Sequence, residues 1–232
     1  MKMPDYSALL KTIGVQFKDE SLLSHAFTHR SYINEHRDEG LSDNERLEFL
    51  GDAVLELVAT KHLFHACPDK TEGEMTSFRS ALVKGKHLAE IATTLNLGDY
   101  LFLSNGEEKS GGRQKNYILA NTLEALIGAI YLDQGHAAAE AFIERFIMNK
   151  LDDIIKLGLH VDAKSAFQEN AQEKEDATPH YETINEEGPD HDKTFTMGAY
   201  IGTELIATGT GSSKQKAENN AAENALKIKG WN

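Results

Sequence analysis

The sequence predicts a multi-domain chain, with an all-α N-terminal domain followed by a small α+β domain of order α-β-β-β-α. Three observations predict it. Apolar residues recur at spacings of three and four through the first 157 residues, which is the period of a helix with one buried face. Beyond Leu157-Gly158 the period switches to two in short runs separated by turn formers. The 232 residues also suffice for two cores. The expected boundaries are 1–157 for the helical domain, 158–163 for a linker and 164–232 for the second domain.

The helical elements follow from their apolar stripes. One is Leu47-Leu50-Val54-Leu57-Val58, and a second is Leu123-Leu126-Ile127-Ile130-Tyr131. A third periodic stretch runs from Ala137 through Phe142, Ile143, Phe146 and Ile147 to Ile155. Between them, Ser104 to Gly112 is rich in glycine and turn formers and reads as a loop. In the second domain a helix is expected around Lys164–Glu173, then strands at Pro179–Ile184, Phe195–Ile201 and Glu204–Thr208. A last helix, Ala217–Ile228, carries alanines at 217, 221 and 225 on one face, small enough to lie close on a sheet.

Composition excludes several classes. No apolar run is long enough to cross a bilayer, and no secretory leader is expected, so a cytoplasmic location with no membrane partner is the expectation. Cys67 is the sole cysteine, which rules out a disulfide framework and a thiolate metal cage. No glycine-rich phosphate loop or nucleophile elbow is present, so no small-molecule cofactor is expected. The net charge is −13. Roughly 17 basic face 24 acidic residues before the boundary and roughly 7 face 13 after it, so any phosphate contact rests on a few local lysines. Arg145 is the last arginine.

The most informative segment is Asn44-Glu45-Arg46-Leu47-Glu48-Phe49-Leu50-Gly51-Asp52. At 100° per residue, Glu45, Glu48 and Asp52 share one helix face within about 60°. Ser42 is placed to cap this helix with Glu45 at the third position, while Glu48 and Asp52 are read as lying beyond the first turn. A second segment, Ile118 to Gly128, puts Asn121, Glu124 and Gly128 on one face of a strongly apolar helix. An acid there is costly unless a cation accompanies it. Gly51 and Gly128 would let the two helices approach closely. Glu48, Asp52, Asn121 and Glu124 would then offer hard oxygen ligands suited to Mg²⁺, with Mn²⁺ able to substitute. A ferritin-like carboxylate site would need Glu-x-x-His pairs, and neither segment has one. His25 with His29, and His62 with His65, have zinc-like helical spacing but no third ligand nearby, and read as ordinary helix histidines.

Across Asn44–Asp52 the chain resembles the ribonuclease III signature without a mismatch, and the resemblance spans almost the whole chain. Its other parts are Ala26 to Tyr32, Glu72-Gly73-Glu74-Met75, Lys109-Ser110-Gly111-Gly112 and Ile118 to Gly128. The resemblance implies an endoribonuclease that cuts double-stranded RNA as a symmetric homodimer, leaving 5′-phosphate and 3′-hydroxyl ends with two-nucleotide 3′ overhangs. It implies processing of rRNA, mRNA and tRNA transcripts. It also implies that Glu48, Asp52, Asn121 and Glu124 surround Mg²⁺, with Asp52 and Glu124 the essential catalytic pair. Glu45 and Glu72 would line the RNA cleft, and Phe49 would insert into the partner subunit. The family usually has Asp where this chain has Asn121, which leaves a catalytically impaired, duplex-RNA-binding form as the alternative.

From Asp162 to Lys229 the chain resembles the double-stranded-RNA-binding domain, through Phe167-Gln168-Glu169, Pro179-His180-Tyr181, Gly188 to Asp192 and Gly209 to Glu218. Gln168, Glu169 and His191 would contact minor grooves by that resemblance. Ser212 is placed to cap the last helix with Gln215 at the third position, setting Lys214 and Lys216 in the first turn. Cations are disfavoured there unless a phosphate shares the place.

Overall fold

The structure, a computed structural model, describes residues 4–36, 42–156, 163–189 and 193–231. It divides into two compact units, Met1–His160 and Val161–Asn232. Of the expected linker, 158–163, only Ala163 lies among the described residues, and it opens a helix.

The described part of the first unit is helical: α1 (Ser7–Ile13), α2 (Glu20–Ala26), α3 (Arg30–Glu35), α4 (Glu45–Ala66), α5 (Glu72–Leu82), α6 (Gly85–Thr94), α7 (Asn105–Lys109), α8 (Asn116–Gln134), α9 (His136–Phe146) and α10 (Leu151–Lys156). No helix among the described residues is long and apolar enough to cross a membrane. The central element is α8. It is buried almost all round, from Ile118 to Ile130, as its near-continuous apolar sequence requires. Against it lies α4, which buries Leu47, Gly51, Val54, Leu55, Val58, Ala59 and Leu63 on one face. The periodic stretch after residue 136 is broken into α9, a 3₁₀ turn at Met148–Lys150, and α10.

Two expectations at helix ends are corrected. Ser42 does not cap α4: the cap residue is Asn44, with no side-chain cap bond, and the Asp43 carboxylate accepts the Glu45 N–H at 3.3 Å. With the helix starting at Glu45, Glu48 belongs to its first turn after all. The segment Ser104 to Gly112 is not an open loop. Ser104 accepts the Glu107 N–H at 3.0 Å and starts α7. Lys115 on Glu107 and Arg113 on Glu108 then hold it, contacts that glycine content does not reveal.

The second unit has α11 (Ala163–Glu175), β1 (Pro179–Glu187), β2 (Thr194–Ile201), β3 (Glu204–Gly211) and α12 (Lys214–Lys229). The three strands form one antiparallel sheet in the order β1-β2-β3. Phe167, Ala199, Ala207, Ala221, Ala222 and Ala225 make its core between sheet and helices. The alanine face of α12 does lie close on the sheet. A Cβ added at Gly209 would sit 2.1 Å from the Ala221 nitrogen. The strand β1 continues past Ile184 to Glu187 because a bulge between Thr183 and Asn185 restores its register with β2. The strict alternation expected in β2 is absent: Met197, Gly198 and Ala199 are all buried. Helices cover one side of Gly198, and the side chains of Tyr200, Leu205 and Ile184 crowd over the other.

Candidate functional site

The acids of the first unit are brought together by a helix crossing without side chains. A Cβ on Gly51 would stand 1.8 Å from the Glu124 carbonyl oxygen, and one on Gly128 would stand 2.2 Å from the Leu47 carbonyl oxygen. The backbones of α4 and α8 therefore touch, and only glycine fits at both positions. Around this contact, α4 carries Glu48 and Asp52 while α8 carries Asn121 and Glu124. The entry of α4 is fixed by Asn44, whose buried amide donates to the Ala26 carbonyl at 3.0 Å while its N–H donates to Thr28 O at 2.9 Å. Asn44 opens the signature segment, but its anchoring role needs a partner 18 residues away and leaves no local trace.

The electrostatics follow from this crowding. Burial, reinforced by Asp52 and Glu48, pushes the Glu124 carboxyl up to about 7. Burial also raises Glu48; the Asn121 amide against it opposes the rise, and Glu45, Asp52 and Asp43 add to it. Asp52 and Glu45 are exposed. No three His, Cys, Asp or Glu side chains among the described residues stand close enough to hold a metal ion as they are. The donor chemistry still fits a hard divalent cation. Three carboxylates and a carboxamide lie beside the helix contact, and the cost of charging Glu124 is what a cation would relieve.

The other expected residues lie elsewhere. Glu72 opens α5, exposed, on a separate 220 Å³ groove with Thr60, Phe64 and Arg79. Phe49 is 80% exposed beside a groove formed with Leu22, Leu47, Leu50 and Leu132. His25 and His29 do not share a helix: His25 is in the last turn of α2, and His29 is the cap of α3, accepting the Ser31 N–H on its ring. A cavity of 280 Å³ is lined by His29, Arg30, Glu45, Glu48, Tyr117 and Asn121, and Arg30 pairs with Glu45 at 3.4 Å.

In the second unit Ser213, not Ser212, caps α12, accepting the Lys216 N–H at 3.3 Å. Lys214 and Lys216 are in the first turn and exposed, as expected. Lys214 is not a free cation, however. Its Nζ lies 2.8 Å from Glu186, which also holds Lys193 at 3.1 Å, and both lysines stand near the Phe195 ring. These two lysines hold the Glu186 carboxyl below its usual range. Nothing local in the sequence pointed to Glu186. Lys216 has no ion pair among the described residues. Gln168 and Glu169 are exposed on α11, and His191 lies outside the described residues.

Comparison with known proteins follows this division. A family model described as Ribonuclease-III-like matches residues 19–151, and one described as Double-stranded RNA binding motif matches residues 163–229. Ribonuclease 3 of Enterococcus faecalis is 47% identical over 219 residues, covering 94% of this chain and 95% of its own length. Ribonuclease 3 of Carboxydothermus hydrogenoformans is 47% identical over 221 residues, covering 95% and 94%. A crystal structure of the nuclease domain of ribonuclease III from Campylobacter jejuni is 44% identical, covers 63% of this chain and 96% of its own, and has a TM-score of 0.58. A second structure of that nuclease domain, at 43% identity, is described for flexibility in a region involved in dimer formation.

Proposed function

This chain belongs to the ribonuclease III family of endoribonucleases acting on double-stranded RNA, and we propose that it hydrolyses duplex phosphodiester bonds with Mg²⁺ held between α4 and α8. One observation carries the reading: two facing pairs, Glu48/Asp52 and Asn121/Glu124, meet at a glycine contact that leaves Glu124 costly to ionise without a cation. Asp52 and Glu124 are the catalytic pair, and Glu48 and Asn121 complete the metal ligands. Mn²⁺ fits the same oxygens. A bound divalent cation supplies Lewis-acid activation of water and neutralises charge on the phosphate. The side chains orient that charge beside a polyanionic substrate, and the buried helix pair keeps them from relaxing apart.

The products carry 5′-phosphate and 3′-hydroxyl ends with two-nucleotide 3′ overhangs, and the substrates are rRNA, mRNA and tRNA precursors in the cytoplasm. Two copies act together. The 80% exposure of Phe49, beside an apolar groove, supports insertion into a partner subunit. Glu45 and Glu72 line the RNA cleft of that dimer. In the second unit Lys214 and Lys216 at the start of α12 contact phosphates, with Gln168, Glu169 and His191 in the minor grooves. The catalytically impaired alternative has no support in the comparisons.

The test is direct. A labelled RNA duplex should be cut with Mg²⁺, spared with EDTA, and bound but uncut by Asp52→Asn or Glu124→Gln. Normal turnover in Glu124→Gln at ordinary Mg²⁺ would remove this assignment.

A further inference from the structure

The 280 Å³ cavity beside the carboxylates has a mixed lining. Acceptors come from Glu45, Glu48 and Asn121 and donors from His29 and Arg30, the Arg30–Glu45 pair closing at 3.4 Å, and Tyr117, 57% exposed, also lines it. We propose that this cavity is the subsite for one sugar–phosphate unit of the RNA next to the cleaved bond, and that the Nε2–H of His29 is its fixed donor. The proposal rests on the reading of the chain as a duplex-RNA nuclease.

The tautomer follows from the neighbours. The Ser31 N–H donates to His29 Nδ1 at 3.2 Å, so Nδ1 carries no proton. The Ser31 hydroxyl, 2.8 Å from the same nitrogen, accepts the Ser104 N–H at 3.0 Å, which leaves its own hydrogen for Nδ1. Burial holds the ring below its ordinary pKa despite Glu107, Glu45 and Asp43, and Lys115 acts in the same direction as burial. In a neutral ring with Nδ1 accepting twice, the proton sits on Nε2. That N–H has no acceptor among the described residues, while its ring lines the cavity. Nature of the missing acceptor is set by the surroundings. His29 is a donor for a phosphate oxygen, and the exposed Arg30 guanidinium, which pairs with Glu45 at 3.4 Å, has further N–H groups to offer one. The second oxygen of Glu45 can accept from a ribose hydroxyl, which RNA has and DNA lacks. The volume admits a single sugar–phosphate unit and not a helical segment.

Two isosteres separate this role from capping. Asparagine reproduces the Nδ1 acceptor and is a favoured cap, but it ends short of Nε2. Glutamine reaches the Nε2 position with an amide N–H. His29→Asn should therefore melt like the wild type but lose roughly 10- to 100-fold in kcat/KM on a duplex, the range for one hydrogen bond to a charged group. His29→Gln should recover most of that loss. Independently, ¹⁵N spectra of the imidazoles in the Glu124→Gln protein should show the His29 Nε2–H resonance moving when a short RNA duplex is added. Wild-type cleavage by His29→Asn would overturn the proposal. So would a His29 resonance unmoved by duplex that shifts the α12 amides. Failure of the wild-type chain to cleave would instead overturn the nuclease reading, and the spectra alone would then decide whether RNA enters this cavity.

Discussion

Alanine at Gly51 would place a methyl carbon 1.8 Å from the Glu124 carbonyl oxygen, 2.7 Å from its carbonyl carbon and 2.9 Å from the Gly128 nitrogen, where ordinary contact begins at 3.4 Å. All three are backbone atoms of α8, so no rotamer change relieves the clash. The helices must part by about 1.5 Å, or α8 must bend, in a core that transmits such shifts because it is close-packed. Overpacking against side chains costs about 1–3 kcal/mol, and against backbone we expect the upper end, about 3 kcal/mol. For a protein of this size that is roughly 6–12 °C in Tm. The same parting separates Glu48 and Asp52 from Asn121 and Glu124, and a displacement near 1 Å costs on the order of 100-fold in rate. Gly73→Ala is the control, because a Cβ there meets nothing within 4 Å and α5 gains about 0.5–1 kcal/mol from the change. Thermal melts and single-turnover cleavage at saturating Mg²⁺ would be measured for both. A Gly51→Ala protein with wild-type melting and wild-type rate would show that the backbone contact does not hold the site.

Further outcomes follow from the same geometry. Glu124, raised from 4.5 to about 7 by burial and by Asp52 and Glu48, favours folding when protonated; that contribution is full below pH 4.5 and lost as pH rises through 7. Without divalent metal at pH 8, Glu124→Gln should be more stable than the wild type by about 1 kcal/mol, a figure reduced from the full shift because the group is only half-buried, and at pH 4 the two should melt together. Phe49→Asp should dissociate the dimer and lower cleavage with it; sedimentation showing the unmodified chain monomeric at micromolar concentration would refute this. Glu186→Gln releases Lys214 from its ion pair, so duplex affinity should rise and its salt dependence steepen, whereas Lys214→Ala with Lys216→Ala should flatten it; an unchanged slope in both would mean these lysines are merely solvated. Asn121→Asp should speed cleavage more at limiting than at saturating Mg²⁺, and coincident titration curves would exclude Asn121 as a ligand.

The parts of the site legible in the sequence are those written at helical period. Glu48 and Asp52 share a face with Gly51 beside them, and Asn121 and Glu124 share one that Gly128 continues, so two glycines and four oxygens mark a contact without any knowledge of the fold. The alanine face of α12 is legible for the same reason. What could not be read depends on choices made at a distance. Ser212 and Ser213 are equally good caps in isolation; the choice falls to Ser213, and the packing of Gly209 and Gly211 on Ala221 and Ala217 fixes where β3 stops. Glu186 is an unremarkable strand residue until Lys193 and Lys214 close on it. His29 looks like half of a helical pair until Ser31 and Ser104 show it as a cap with a committed ring nitrogen.

The net charge of −13 then has a local meaning in each unit. In the first unit the acids near the α4–α8 contact repel one another and the close-packed glycines confine them, a repulsion that the proposed divalent cation would relieve. An acidic surface alone would repel RNA, but one whose worst repulsion is relieved by a cation recruits the charge that phosphate needs. In the second unit the three strands carry no lysine or arginine, and the cations flanking them gather on Glu186 beside the start of α12. Glu186 holds Lys193 and Lys214 together against their mutual repulsion, so a phosphate bound there as proposed would have to compete with it for them. Weak electrostatic binding of this kind is useful to an enzyme that must release two duplex products. Under the proposed two-copy reading, affinity depends on two RNA-binding units acting from one dimer, so loss of the dimer should weaken RNA binding even where every RNA-contacting residue is intact.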